Sequence, residues 1–187
     1  MIALTPRMQR AINIAVRQHE GQYRAGRQHY PYIVHPVSVA LLLNEWTEDE
    51  DIIIAGLFHD VLEDTEGYGY ADIERDFGKR VASMVLEVSE NQKLPREQWV
   101  PDRLRRMETG SNDAILVFAA DKIHNTESLV EAAAIGDTET LIKFGIRPED
   151  GLPERYLHAL SILENRLKSH PAVERLRAAY DTLERGS

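Results

Sequence analysis

The chain of 187 residues contains no cysteine and no long run of uncharged apolar residues. The absence of cysteine excludes a disulfide framework and a thiolate metal site, and it is typical of a cytosolic protein. No stretch approaches the roughly 18 apolar residues that cross a membrane, and residues 1–20 lack the apolar core of a signal peptide. We therefore expect a cytoplasmic protein that has no membrane partner.

Basic residues are in the minority, with 22 lysines and arginines against 31 aspartates and glutamates and a formal net charge of −9. A predominantly negative surface repels the phosphate backbone, so we do not expect nucleic acid as a partner. A small anionic substrate is compatible with this composition where basic residues gather locally. The length suits one domain over residues 1–187, and the sequence leaves a homo-oligomer open.

Apolar residues recur at helical spacing along most of the chain, and alternating strand patterns are missing. Start signals such as Thr5-Pro6 and a Thr47–Glu50 capping box divide this pattern into helices. Residues 21–36 lack periodicity, which predicts a long loop of functional importance. We predict an all-α fold, with helices over residues 5–20, 36–46, 48–64, 70–77, 79–89, 102–108, 112–134, 138–144, 154–168 and 172–184.

One apolar stretch, residues 52–62, ends in four polar side chains: His59, Asp60, Glu63 and Asp64. The stretch has no polar stripe, which indicates a central helix surrounded by others. Burying an imidazole and a carboxylate there is unfavourable unless something compensates them, and a bound cation compensates both. Because adjacent helical side chains point about 100° apart, His59 and Asp60 are able to converge on one ion at the helix end.

Two further polar residues occur in similar settings, His35 at a predicted helix start and Asp121 after the apolar residues 114–120. Donors from three helices would form a site in the core of a bundle, with positions left for water and substrate. Nitrogen and oxygen donors suit manganese, iron, zinc or magnesium. The predicted ligands are His35, His59, Asp60 and Asp121.

Each residue also has a simpler interpretation when it is taken alone. Asp121 could pair with Lys122, Asn125 could be a bridging amide, and Glu63 with Asp64 could form a solvated helix end. A single His-Asp pair is common in proteins and is a weak sign of a metal. The order His, His-Asp, Asp, with every member in or beside an apolar helix, favours the metal site.

Four segments carry a resemblance to a known family: HEGQYR at residues 19–24, PYIVHP at 31–36, GLFHDVLEDT at 56–65 and ADKIHN at 120–125. With them the sequence resembles the HD-domain metal-dependent phosphohydrolases. More closely, it is similar to the hydrolase domain of the RelA/SpoT alarmone enzymes and to the single-domain small alarmone hydrolases. The resemblance implies a compact multi-helix bundle with a metal site in its core.

The resemblance also implies an activity and a cofactor. The family hydrolyses the 3′-pyrophosphate of guanosine tetra- or pentaphosphate, giving GDP or GTP and pyrophosphate, with one manganese ion on the four ligands named above. Glu63 and Asp64 match the acidic pair that handles the attacking water. They lie one turn beyond the ligands, which favours a role in proton transfer over a role in metal binding.

Four residues are assigned to the substrate. Arg24 matches an arginine of the family that packs on the base, and Asn125 and Ser128 match positions near the nucleoside. Lys122 is the fourth. One departure from the family adjoins them. Ala25 follows Arg24 where the family usually has a basic residue. Because of this difference, the chain need not recognise the base of its substrate as the family does.

A second departure is the lack of the family's ERK-like segment. Residues 91–106 occupy its place and carry five cations. These cations either contact phosphate groups in another way or form a solvated basic face. They are Lys93, Arg96, Arg103, Arg105 and Arg106.

Two other functions compete with alarmone hydrolysis. One is an HD-type nucleotide phosphatase that acts on deoxynucleotides or on a phosphate of a dinucleotide cofactor. The other is a catalytically silent nucleotide-binding module. The acidic pair Glu63-Asp64 and the loop of Arg24 favour alarmone hydrolysis over the first, and the intact ligand set speaks against the second.

Ala25 generates a prediction about the base. Arg24 is able to stack on any purine, a contact that contributes about 0.5–2 kcal/mol without distinguishing guanine from adenine. Because Ala25 brings no polar side chain to the ring edge, we expect discrimination against the adenosine analogue below about tenfold in kcat/KM, or roughly 1.4 kcal/mol. Measuring kcat/KM for the 3′-pyrophosphates of guanosine and adenosine side by side tests this. A guanosine preference of about a hundredfold or more would contradict it.

Overall fold

The computed structural model describes residues 4–147 and 150–186, except for the side chain of Asp64. Within these ranges the regular structure is helical apart from two isolated β-bridges, which confirms the predicted all-α fold. A single 3-10 turn, Arg96–Gln98, precedes the seventh α-helix. The helices are α1 Pro6–Gln18, α2 Val34–Trp46, α3 Glu50–Phe58, α4 Val61–Asp64, α5 Tyr70–Phe77, α6 Lys79–Val88, α7 Trp99–Thr109, α8 Asn112–Ala134, α9 Thr138–Lys143, α10 Glu154–Leu167 and α11 Pro171–Gly186.

Side-chain caps confirm two of the predicted helix starts. The Thr5 hydroxyl accepts a hydrogen bond from the Met8 amide at 3.0 Å, with Pro6 in the first turn of α1. The Ser111 hydroxyl accepts one from the Ala114 amide at 3.1 Å and begins the long helix α8. Such caps satisfy backbone donors that have no partner within the helix.

The predicted capping box of the third helix is wrong. Asp49 caps α3, because its carboxylate accepts a hydrogen bond from the Asp51 amide at 3.0 Å. The Thr47 hydroxyl accepts a hydrogen bond from the Asp49 amide, also at 3.0 Å. Glu50 forms an ion pair with Arg7 at 2.9 Å. The two residues of the expected box are thus engaged with other partners.

The predicted third helix is also interrupted. α3 ends at Phe58 and α4 begins at Val61, so His59 and Asp60 occupy the turn between them. The His59 ring donates to the Gly56 carbonyl at 2.7 Å. In a continuous helix that carbonyl would accept a hydrogen bond from the Asp60 amide. A side-chain hydrogen bond therefore accompanies the break that presents both polar residues at the end of α3.

Helix α8 lies at the centre of the bundle and packs against α2, α3, α6 and α11. All of α3 from Ile52 to Phe58 is buried, as its lack of a polar stripe predicted. In the part of the chain that the structure describes, no helix is long and apolar enough to cross a membrane. The central packing brings one end of α3, the first turn of α2 and the middle of α8 close to one another.

The close approach of α2 and α3 depends on Gly56. A methyl group at this position would overlap the Leu43 side chain and would lie 3.3 Å from Val39 Cγ1. Leu43 and Val39 are both fully buried, so they have little room to move away. Glycine in a helix is less favourable than alanine by about 0.5–1 kcal/mol. The close packing of the two helices offsets this intrinsic cost.

We expect Gly56→Ala to destabilise the fold. Overpacking of a core costs about 1–3 kcal/mol, and the gain in helix propensity is about 0.5–1 kcal/mol. The net loss in the free energy of unfolding, measured by urea denaturation, should therefore be about 1 kcal/mol and at most about 2.5 kcal/mol. In a Leu43→Ala background, which removes the overlapping side chain, the same substitution should cost less, because only the contact with Val39 remains. Equal losses in both backgrounds would contradict the packing argument.

Candidate metal centre and substrate cavity

Two imidazoles and two carboxylates meet where α2, α8 and the turn between α3 and α4 come together. His35 Nε2 lies 2.9 Å from His59 Nε2, 3.4 Å from Asp60 Oδ2 and 3.3 Å from Asp121 Oδ1. His59 Nε2 lies 3.1 Å from Asp60 Oδ2 and 3.7 Å from Asp121 Oδ1. The structure therefore brings together all four residues that the sequence predicted as ligands, and we call them the core cluster.

The core cluster is largely removed from solvent and carries an excess of negative charge. His35, His59 and Asp121 are buried, and the Asp60 side chain is 14% exposed. Burial alone would lower the pKa of His59, but the carboxylates of Asp60 and Asp121 raise it well above its usual range. Burial alone would raise the pKa of Asp60, but His59 and His35 hold it well below its usual range. The cluster thus favours a positive charge at its centre.

Each imidazole of the cluster is oriented by its second ring nitrogen. His59 Nδ1 lies 2.7 Å from the Gly56 carbonyl, which only accepts, so Nδ1 carries a proton and Nε2 is the nitrogen that would present its lone pair to a metal. His35 Nδ1 lies 2.8 Å from His124 Nδ1. Burial lowers the pKa of His124 to about 3, so its ring is neutral at ordinary pH. Metal-bound histidines are characteristically held by such outer hydrogen bonds.

The two carboxylates are also held by donors outside the cluster. The Tyr32 hydroxyl donates to Asp60 Oδ2 at 2.7 Å. Lys122 Nζ donates to Asp121 Oδ2 at 2.6 Å, and the Asn125 amide donates to Asp121 Oδ1. Asp121 therefore pairs with Lys122, as its simpler interpretation suggested, and at the same time faces the two imidazoles.

The donor set fits a divalent metal ion. His35, His59 and Asp121 offer ligand atoms that lie within 4.8 Å of one another. Asp60 Oδ2 adds a fourth donor within 3.4 Å of both imidazole nitrogens. Imidazole and carboxylate groups in this combination bind first-row divalent ions. The buried group has the composition and the spacing of a divalent metal site.

Glu63 lies one turn beyond the cluster, on α4. Its Oε1 accepts a hydrogen bond from the Glu90 amide at 2.7 Å and lies 4.0 Å from Arg103 Nη1. The side chain is only 12% exposed, so it is not a solvated helix end. Burial, followed by the charge of Asp60, raises the pKa of Glu63 to about 7. The side chain of Asp64, its predicted partner, lies outside the part of the chain that the structure describes.

A cavity of about 580 Å³ borders the core cluster. The loop between α1 and α2 forms one wall, and residues of α7 to α11 form the others. Tyr32, Lys122 and His124, which contact members of the cluster, also line the cavity. Its volume falls in the range of small-molecule sites, about 300–1,000 Å³. A ligand in the cavity would therefore lie next to the cluster.

The residues predicted to bind substrate all line this cavity: Arg24, Lys122, Asn125 and Ser128. Arg24 Nη2 donates to Asn125 Oδ1 at 2.8 Å, which joins the loop to α8. The Arg24 guanidinium also lies 5.6 Å from the centre of the Tyr32 ring. The Ser128 hydroxyl donates to the His124 carbonyl within its own helix at 2.8 Å. Arg24 and Asn125 thus form a linked pair across the cavity.

The basic segment separates into different environments. Arg103 lines the cavity and pairs with Glu90 at 3.2 Å. Arg105 and Arg106 pair with Asp102, at 2.5 and 2.8 Å, within α7. Arg106 also donates to backbone carbonyls at the end of α6. Arg103 is therefore placed to meet an anionic ligand, whereas Arg105 and Arg106 stabilise the fold.

Two residues that contact the cluster had no role assigned from the sequence. They are Tyr32, in the PYIVHP segment, and His124, in the ADKIHN segment. Each stands three positions from a predicted ligand, Tyr32 before His35 and His124 after Asp121. A spacing of three places side chains on one face of a helix. That spacing is the signal from which His124 was predictable; Tyr32 lies before α2, where helical spacing does not apply.

The helical bundle and its core cluster define a class of protein, in which a histidine, a His-Asp pair and a distant aspartate gather at the centre of a helical domain. The HD domain family model matches residues 11–141, which is more than half of the chain. The chain belongs to the HD domain family. This confirms the resemblance that the four sequence segments indicated.

Curated relatives match about two thirds of the chain. The bifunctional (p)ppGpp synthase/hydrolase SpoT of Escherichia coli K12 is 38% identical over 129 residues, which cover 66% of this chain and 18% of SpoT. The guanosine-3′,5′-bis(diphosphate) 3′-pyrophosphohydrolase of Aquifex aeolicus is 35% identical over 125 residues, 65% of this chain and 18% of the relative. The chain thus matches under one fifth of these relatives' length.

A solved structure shows the same fold over nearly the whole chain. It is that of a metazoan ortholog of SpoT that hydrolyzes ppGpp, with a TM-score of 0.73 and 23% identity. The similarity covers 95% of this chain and 95% of that one. The helical arrangement around the core cluster is therefore found in another protein of similar extent.

We expect a divalent metal to stabilise the folded chain. A ligand that binds only the native state, at about 100 times its Kd, adds about 2.7 kcal/mol to the free energy of unfolding. For a chain of this size that corresponds to roughly 5–10 °C in Tm. Chelation should lower Tm by this amount and Mn²⁺ should restore it, as measured by calorimetry. In the Asp60→Ala variant both the metal content and the Tm shift caused by the metal should fall. An unchanged metal content would contradict the assignment of Asp60 as a ligand.

Proposed function

We propose that the chain hydrolyses the 3′-pyrophosphate of guanosine tetraphosphate, and of the pentaphosphate, to GDP or GTP and pyrophosphate, in the cytoplasm. The observation that carries the proposal is the position of the core cluster and the buried Glu63 beside a cavity with cationic walls. The names of the relatives, a (p)ppGpp hydrolase and a 3′-pyrophosphohydrolase, support the choice of substrate.

In this proposal His35, His59, Asp60 and Asp121 hold one manganese ion. The nitrogen and oxygen donors support a first-row divalent ion, and the family resemblance supports manganese among them. When bound, such an ion lowers the pKa of water and polarises a phosphoryl group. The outer hydrogen bonds from Tyr32 and to Gly56 keep the ligand atoms in place while substrate enters.

Glu63 is proposed as the general base. Water attacks the phosphorus attached to the ribose 3′-oxygen, and Glu63 takes up the proton that the water loses. The bond between phosphorus and the 3′-oxygen breaks, and this oxygen leaves as the nucleotide hydroxyl with a proton from solvent, while Glu63 returns its proton to solvent. A base works best when its pKa lies near the working pH, which the value of about 7 for Glu63 satisfies.

The cations of the cavity are proposed to bind the two ends of the substrate. Arg103 and Lys122 lie beside Glu63 and Asp121 and are assigned to the scissile pyrophosphate. Their positive charges would offset the negative charge of the transition state. Arg24 and Asn125 are assigned to the nucleoside, because a guanidinium plane stacks on a purine and an amide bonds to the ribose. Ser128 lines the same end of the cavity.

Product analysis with the purified chain and Mn²⁺ tests the proposed function. The panel contains guanosine tetraphosphate, a deoxynucleoside triphosphate and a dinucleotide cofactor that carries an additional 2′- or 3′-phosphate. We expect GDP and pyrophosphate from the first substrate. Preferred release of orthophosphate from one of the others would replace the proposal with a nucleotide phosphatase. Nucleotide binding without turnover on any of them would replace it with a binding module.

We expect Glu63→Gln to retain the fold and the metal and to lose catalysis. Glutamine keeps the size of the side chain but takes up no proton, and loss of a general base lowers the rate by about 10²–10⁴. Single-turnover kinetics with a metal-loaded variant measures the chemical rate. Glu66→Gln, the same substitution at an exposed position of the following turn, is the control and should behave as the unmodified protein. Near-normal turnover of Glu63→Gln would refute the role of this residue.

A further inference from the structure

His124 stands between the core cluster and the cavity. It lies one turn after Asp121 on α8, and its Nδ1 is 2.8 Å from Nδ1 of His35. The centres of the two rings are 4.9 Å apart, with their planes tilted by 43°. The same ring lines the cavity.

The pairing of the two rings fixes where their protons lie. Nε2 of His35 faces His59, Asp60 and Asp121, so this nitrogen presents its lone pair when the cluster holds a metal. The remaining proton of a neutral imidazole is then on Nδ1 and requires an acceptor. The atom within hydrogen-bond distance of it is Nδ1 of His124.

We propose that His124 is a positioning residue for the metal, because its Nδ1 accepts the proton of His35 and holds His35 in the tautomer that binds the ion. The Gly56 carbonyl serves His59 in the same way. A carbonyl is an acceptor in every state, whereas an imidazole nitrogen accepts only in one tautomer. The proton of His124 must therefore lie on its Nε2. This inference rests on the proposed function in one respect, the assignment of His35 as a ligand.

The chain offers a matched set of variants to test this role. His124→Asn places an amide oxygen where Nδ1 lies and keeps an acceptor for His35. His124→Phe keeps a planar ring of similar size and removes the acceptor. His158→Leu removes an exposed histidine on α10 whose ring contacts Glu108, and it serves as the control. The readout is the Kd for Mn²⁺ alone, from the electron paramagnetic resonance signal of the free ion, together with Tm of the chelated proteins.

We expect His124→Phe to weaken Mn²⁺ binding by about 10- to 100-fold, the usual effect of losing an outer-shell partner. His124→Asn should stay within about threefold of the unmodified chain, and His158→Leu should be unchanged. Equal Kd values for the Phe variant and the unmodified chain would overturn the proposal. An Asn variant as weak as the Phe variant, at equal Tm, would also overturn it, because shape rather than an acceptor would then matter.

The outcome for this residue is separable from the outcome for the proposed function. Metal affinity is measured without nucleotide, so the Kd values stand whatever substrate the cavity takes. A chain that binds Mn²⁺ but releases no pyrophosphate from guanosine tetraphosphate would remove the proposed activity and leave the role of His124 intact. An unmodified chain that binds no Mn²⁺ would remove both.

Discussion

Two carboxylates buried beside two imidazoles impose the main constraint on this molecule. Charged groups in a low-dielectric core are unfavourable unless a partner of opposite charge is fixed close to them. The four donors of the core cluster therefore have to arrive at one point with little freedom. Three structural features achieve this: the first turn of α2, the break between α3 and α4, and the middle of the buried helix α8. Displacement of any one of them would leave a charge without compensation.

The constraint extends outward through hydrogen bonds to residues that are not themselves members of the core cluster. His59 is held by a backbone carbonyl, His35 by another histidine, Asp60 by the Tyr32 hydroxyl and Asp121 by an ammonium and an amide. Several of these outer partners, such as Tyr32, also form the wall of the cavity. The substrate surface and the support of the cluster are thus partly the same side chains, which couples the shape of one to the position of the other.

The helices and the four residues of the core cluster were predictable from the sequence because both depend on local patterns. The apolar stretch that ends in His59 and Asp60 indicates a buried helix end, and Asp121 interrupts another apolar run, so both point to the core without any knowledge of tertiary structure. The prediction of a capping box at Thr47 and Glu50 was wrong because the Glu50 side chain pairs with Arg7, in another helix. The prediction of one continuous helix was wrong because the His59 ring donates a hydrogen bond to the Gly56 carbonyl, which a continuous helix would use for a backbone hydrogen bond. Contacts between elements that are distant in sequence leave no local signal, and the contact of Tyr32 with Asp60 belongs to this kind. The position of His124 was predictable from its spacing of three after Asp121 on one helix.

The formal charge of −9 and the cationic cavity are compatible because three of the cations that line the cavity are paired with acids. Lys122 pairs with Asp121, Arg103 with Glu90, and the backbone and side chain of Arg27 with the buried Asp137. An unpaired lysine or arginine on a surface samples many conformations, whereas a paired one presents its charge in a fixed direction. The acids therefore do more than lower the net charge, because they hold these cations in place in the wall of the cavity. A negative protein is in this way able to form a local positive surface whose charges need little rearrangement when an anion enters.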